Sequence, residues 1–249
     1  MLIVGSGLTM VDVVLSLDAQ GHRGTIVALS RRGLIPRGHC AFEPAPVESV
    51  PAASVSGLLR WLRKRSAEVG WRAAVDSLRP HSAMLWQSLG TDGQRRFLRH
   101  ARPWWDVHRH RIAPQVAQML VDLIGAGRLQ VLAGRVEGCS PSGEVAIRKR
   151  LSGELVARRF DHLFNCTGPL GSIAQSGDPL IRGLIASGHA SPDPLGIGIA
   201  VDPRSRAEGS KRLWAVGPLT KGLFWEIVAV PDIRVQAAAV AEDIARELA

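Results

Sequence analysis

The chain has 249 residues, 46% hydrophobic and 21% charged, enough for one large domain or two small ones. No apolar run reaches the ~20 residues that span a bilayer, no basic leader precedes the first apolar run, and the three scattered cysteines, Cys40, Cys139 and Cys166, make neither a disulfide framework nor a zinc site; a reducing cytoplasm is the expected home. The net charge of +9 rests almost wholly on Arg, because Lys64, Lys149, Lys211 and Lys221 are the only lysines, and three explanations stay open: solvated charge, attraction of an anionic ligand, or binding to nucleic acid.

Leu2-Ile3-Val4 runs straight into Gly5-Ser6-Gly7, and Leu8, Val11, Val14 and Leu15 follow at helical spacing. This reads as strand, tight turn and helix. Such a turn leaves N–H groups of Gly5, Ser6, Gly7, Leu8 and Thr9 at a helix N-terminus, where the helix dipole favours a phosphate or pyrophosphate. Gly5 allows the sharp turn and Gly7 lets a ligand approach the backbone. The third position of G-x-G-x-x-G is Met10, which implies a looser helix–strand contact. The alternative is a glycine turn in an ordinary βα unit.

After a turn at 18–24, Thr25–Leu29 reads as a second strand, which completes the compact βαβ unit that a dinucleotide fingerprint requires. At its end, where an NAD site expects a carboxylate for the ribose 2′-OH, stands Ser30-Arg31-Arg32. Guanidinium groups suit a 2′-phosphate, so NADP is preferred and NAD stays possible. The alternative is that Arg31 and Arg32 are solvated turn residues.

Five prolines and glycines make 35–54 irregular, and 56–101 is helical in texture: Leu58, Leu59, Trp61 and Leu62 oppose Arg60, Arg63, Lys64 and Arg65. This reads as a helical insertion packed on the domain rather than a membrane or nucleic-acid helix. Arg102–Arg111 concentrates two Trp, two His, one Asp and three Arg, Arg102 included. Ligand contact and burial of the Trp rings in a seam are equally open for it. On a strand His108 and His110 would share a face, with Asp106 nearby, yet no third protein ligand can be located for a metal. Helix is expected at Pro114–Ile124, strand at Leu129–Leu132, and a hairpin from Val145–Arg148 and Leu155–Arg158. His162–Pro169 reads as a strand entering a turn, and Leu213–Pro218 as a strand ending in a glycine turn. Pro231 opens a helix to Leu248 with Val235, Ala238, Val240, Ala241 and Ile244 apolar.

The phrases Leu2–Asp12, Arg102–Arg111, Phe164–Pro169 and Trp214–Gly222 together resemble a bacterial group of FAD/NAD(P)-binding proteins, FAD-dependent oxidoreductases of the two-dinucleotide-binding-domain flavoprotein superfamily. The resemblance implies an α/β fold: a Rossmann-like NAD(P)-binding domain over 1–168, with a mostly helical insertion at 35–112 and a small antiparallel β-meander. The C-terminal part of an incomplete FAD-binding domain follows over 169–249. It implies that Gly5–Thr9 form the inner, NADP-binding motif and that Thr167, Gly168 and Pro169 mark the return between domains. Gly217, Pro218, Trp225 and Glu226 would line the flavin. Such proteins carry an earlier glycine motif for FAD, which this chain lacks, so the chain looks truncated. FAD is expected only if a missing FAD-domain segment is supplied; the implied reaction is then hydride transfer from NADPH to flavin and on to an unknown acceptor. No catalytic acid or base is named; Glu226, His108 and His110 are candidates by location alone. A non-catalytic NADP-binding module and an anionic-polymer-binding protein are the alternatives, without a recognisable nucleic-acid motif for the latter.

Overall fold

The computed structural model describes residues 1–51, 54–168 and 171–248. In chain order its elements are β1 (Leu2–Val4), α1 (Leu8–Ala19), β2 (Ile26–Ser30), α2 (Val55–Val69), α3 (Trp71–Ser77), α4 (Ser82–Ser88), α5 (Gly90–Arg96), α6 (Arg102–Arg109), α7 (Pro114–Gly125), β3 (Leu129–Cys139), β4 (Glu144–Lys149), β5 (Leu155–Arg159), β6 (Leu163–Asn165), α8 (Pro179–Ala186), α9 (Lys221–Phe224) and α10 (Val230–Leu248). They divide into two compact units: Met1–Glu43 with His100–Pro169, and Pro44–Arg99 with Leu170–Ala249. The helical stretch 44–99 is thus grouped with the C-terminal part of the chain.

The first unit is built on a six-stranded sheet of order β5-β4-β3-β2-β1-β6. β1 lies parallel to β2 and β6, with Leu2 opposite Val27 and Leu163, and β2 lies parallel to β3, with Ile26 opposite Leu129. Strand side chains alternate between the two faces, and both faces of this sheet are covered. On one, Ile3, Ile26, Ala28 and Leu129 pack with Met10, Val11 and Val14 of α1 and Leu120 and Leu123 of α7. On the other, Leu2, Val27 and Leu29 pack with Val145 and Ile147 of β4. Double coverage explains why β1 and β2 read as continuous apolar runs rather than alternating ones. Met10 is wholly buried, so the departure from the fingerprint puts a core side chain where a glycine would permit closer helix–strand contact.

β3 runs seven residues past its expected end. Its first half pairs with β2, and from Gly134 onward it pairs antiparallel with β4, which itself pairs antiparallel with β5. A Cβ at Gly134 would lie 2.6 Å from the Arg148 carbonyl oxygen, so glycine is needed where the partner changes. The segment Gly134–Cys139 carries little apolar pattern of its own; its partner makes it a strand.

The irregular stretch after β2 is held by backbone bonds near α6: Arg37 N–H donates to the Val107 carbonyl at 2.9 Å, and Gly38 forms a bridge with Ile112. Arg102–Arg109 is a helix, so the strand geometry that would align His108 with His110 does not form; residues two apart on a helix face apart. His108 Nδ1 lies 2.7 Å from the Trp104 carbonyl oxygen and Arg102 pairs with Asp106 at 3.3 Å, both within the helix.

The second unit consists of helices and irregular chain; its β-pairing, among the described residues, is limited to isolated bridges such as Arg206 with Trp214. The strand expected over Leu213–Pro218 is therefore absent. Its backbone finds single bonds, from Ala207 N–H to Leu213 and from Ala215 N–H to Ser205, but no neighbouring strand to make a ladder. α10 forms as expected; Gln236, Val240 and Asp243 are its buried residues, while Val235 is 73% exposed. Gln236 accepts from Gly217 N–H at 2.7 Å and donates to the hydroxyls of Ser205 and Thr220 at 3.0 and 2.9 Å. Asp243 accepts from Trp214 Nε1 at 3.1 Å and pairs with Arg206 at 3.2 Å. The Trp214 N–H holds this carboxyl below the usual carboxylate range, against the opposing effect of burial and with the help of Arg206 and Arg204.

Candidate dinucleotide site

The strand order reverses at β1, with β2 on one side and β6 on the other, and in parallel α/β sheets that reversal opens a crevice at the carboxyl ends of the strands. The Gly5–Gly7 turn leaves β1 at this point. Gly5 adopts φ +112°, and a Cβ there would lie 2.5 Å from the Cys166 carbonyl carbon and closer still to its oxygen. Backbone bonds fasten the turn on both sides: Gly5 N–H donates to Leu29 at 2.8 Å, and Cys166 N–H donates to Val4 at 2.7 Å. Burial pushes the Cys166 thiol up from its ordinary range.

Ser6 and Ser30, read as cofactor residues, meet each other. Ser6 is buried, with its hydroxyl 2.7 Å from Ser30 Oγ and hydrogen-bonded to the Leu34 carbonyl, and Ser30 Oγ also accepts from Gly33 N–H at 3.0 Å. These side chains brace the glycine turn against the end of β2. Gly7, Leu8 and Thr9 are exposed. Gly7 has ordinary φ of −83°, and a Cβ there would meet nothing within 4 Å. No side chain caps α1, and its first turn holds no acidic residue. First-turn N–H groups have no intrahelical partner, so this end presents open donors and a partial positive charge to an anion.

Arg31 is exposed at the end of β2. Arg32 is half-buried, with one guanidinium nitrogen 3.4 Å from the His100 carbonyl oxygen. A third cation, Arg150, stands at the same place without any sequence motif to announce it: its guanidinium donates to the Arg31 carbonyl at 3.1 Å. Thr167 donates through N–H and hydroxyl to Asn165 Oδ1, closing a turn after β6, and Gly168 follows at φ +87°. Pro169 lies outside the described residues.

The flavin-side candidates belong to the second unit. Gly217 is buried at φ +67°, with its N–H bound by Gln236, and Pro218 is exposed. Trp225 is 4% exposed and stacks on Trp86 at 4.6 Å, with Phe97 edge-on at 5.2 Å and the Lys221 ammonium 4.9 Å from its ring. Glu226 beside it is buried too. Among the described residues, no group of three His, Cys, Asp or Glu is close enough to hold a metal, and no helix is long and apolar enough to cross a membrane.

The fold is similar to that of about half of several solved monooxygenases and hydroxylases. The chain aligns with L-lysine 6-monooxygenase from Pseudomonas syringae at TM-score 0.53 and 18% identity, over 96% of its own length and 52% of that chain. It aligns with the ornithine hydroxylase PvdA of Pseudomonas aeruginosa at TM-score 0.55 and 16% identity, over 100% and 52%. A third likeness is the ornithine N-hydroxylase of Kutzneria sp. 744, solved with reduced FAD, NADP+ and L-ornithine, at TM-score 0.54 and 14% identity, over 100% and 54%. The chain thus spans about half the length of these enzymes. No protein-family profile and no curated protein matches the sequence.

Proposed function

We propose that the first unit binds NADPH and that the chain serves as the NADPH-handling part of an FAD-dependent oxidoreductase of monooxygenase type. The observation that carries this reading is the open, uncapped N-terminus of α1 at the sheet's reversal point, beside a β2 end that offers guanidinium groups and no carboxylate. The first-turn amides from Gly7 onward would hold the pyrophosphate. Arg31, with Arg32 behind it, would pair the 2′-phosphate, and the Thr167–Gly168 turn would border the nicotinamide end. NADPH, when bound, supplies a hydride; the chain's own task is to hold and orient it.

The known FAD and NADP+ content of the Kutzneria enzyme supports a flavin as the hydride's destination, with the acceptor beyond it unassigned. The second unit has no strand ladder among the described residues and no glycine turn between a strand and a helix. It also leaves Val216, Val228, Val230 and Val235 exposed. FAD binding on the Gly217–Pro218 and Trp225–Glu226 side is therefore proposed only for this chain completed by a further FAD-domain segment. Spectroscopy of the purified chain titrated with FAD tests this part: a colourless chain that takes up little flavin is expected, and near-stoichiometric yellow protein would refute it. NADPH titration followed by nicotinamide fluorescence tests the first part, with saturable binding expected and none refuting it.

A further inference from the structure

We propose that Arg150 is a specificity-determining residue of the NADPH site, a second guanidinium for the 2′-phosphate beside Arg31. The proposal rests on the NADPH reading above. The topology delivers Arg150 there. Because β3 continues past the end of β2 and turns to β4 at Gly134, the last residues of β4 come level with the carboxyl end of β2. Arg150 N–H donates to the Ala133 carbonyl at 2.9 Å, and the Ser30–Gly33 turn packs on the same residue, with Ala133 N and Cβ each 3.2 Å from where a Gly33 Cβ would stand. The Arg150 guanidinium then rests on the Arg31 carbonyl at 3.1 Å.

The two cations next to Arg150 in β4, Arg148 and Lys149, each have a carboxylate partner. Arg148 and Arg135 share Glu137 at 2.6 and 2.8 Å, and Lys149 pairs with Glu154 at 2.8 Å. Among the described residues no carboxylate pairs with Arg31 or Arg150. Arg31 and Arg150 are both exposed, and a dianionic phosphate monoester held between them would accept charge-assisted, bidentate hydrogen bonds and supply the missing counter-charge. A ribose 2′-OH offers no such charge, so the pair discriminates between NADPH and NADH.

Isothermal titration of the full chain with NADPH, NADH, 2′,5′-ADP and 5′-AMP tests the assignment. Arg150→Gln keeps a donor for the Arg31 carbonyl and removes the charge; Arg150→Lys keeps a charge. The expected result is that Arg150→Gln weakens NADPH and 2′,5′-ADP by about 10- to 100-fold, leaves NADH and 5′-AMP within threefold, and that Arg150→Lys recovers part of the loss. Wild-type NADPH affinity in Arg150→Gln overturns the proposal, as does an equal loss for NADPH and NADH, which marks a purely structural prop. Absence of all nucleotide binding in the unmutated chain overturns the NADPH reading itself and the proposal with it.

Discussion

Gly5→Ala isolates the geometry on which the site depends. A methyl at this position would lie 2.5 Å from the Cys166 carbonyl carbon, and the backbone sits at φ +112°, a region that L side chains rarely enter. The conformation alone costs on the order of 1–3 kcal/mol. Relieving the overlap means separating the Gly5 turn from Cys166, which weakens the Cys166 N–H to Val4 bond on the β6 side and displaces Gly5 from its N–H bond to Leu29 on the β2 side, each worth about 1 kcal/mol. The sum is about 3–5 kcal/mol, a large share of a typical domain's stability. Urea unfolding followed by circular dichroism, with hydrogen exchange of the β1 and β2 amides as the local readout, measures it. Gly7→Ala is the companion: its added Cβ meets nothing within 4 Å, so stability falls by less than about 1 kcal/mol, the cost of a poorer N-cap. Its methyl would nevertheless stand where the proposed site admits pyrophosphate, and nucleotide affinity is expected to drop about 10-fold or more. A Gly5→Ala loss below about 1 kcal/mol would refute the packing argument, and a Gly7→Ala variant that binds NADPH normally would refute the assigned approach.

In the second unit, Gln236→Leu strands the Gly217 N–H and removes a partner from Ser205 and Thr220; a loss of about 2–4 kcal/mol is expected in urea unfolding, and a loss under about 1 would contradict a central role for this amide. Asp243, held below the usual carboxylate range chiefly by the Trp214 N–H, contributes stability that is fully present above the ordinary carboxylate pKa and is lost as pH falls through its lowered value. Asp243→Asn should therefore destabilise at pH 7 and flatten the acid limb of the stability–pH curve below about pH 4; an unchanged acid limb argues against the pairing. Exposed Cys40 and Cys139 should react with a maleimide well before Cys166, whose thiol is half-buried and pushed up by that burial, and simultaneous labelling of all three would contradict this packing.

The βαβ core was legible because its information is local: apolar runs buried on both faces, glycines at one end and helical spacing after them. Ser30-Arg31-Arg32 was legible for the same reason, as the end of a recognisable strand. Arg150 was not, because nothing in Arg148-Lys149-Arg150 distinguishes the one cation without a carboxylate; only the partner change at Gly134 brings it to β2. The inward face of α10 was not legible because two of its buried residues, Gln236 and Asp243, are polar and satisfied by groups remote in sequence. Spacing at 236, 240 and 243 carried that signal, but apolar periodicity cannot see it. Leu213–Pro218 shows the converse failure: a strand-like composition makes a strand only where a neighbour completes the ladder.

The open α1 N-terminus from Gly7 onward and the arginines at the end of β2 are proposed to form an NADP-selective site. Paired titrations of the purified chain with NADPH and NADH test it most directly. The account predicts tighter binding of NADPH, with the difference reduced in the Arg31→Ala, Arg32→Ala double variant and abolished when Arg150→Gln is added; equal affinities in the unmutated chain would contradict it.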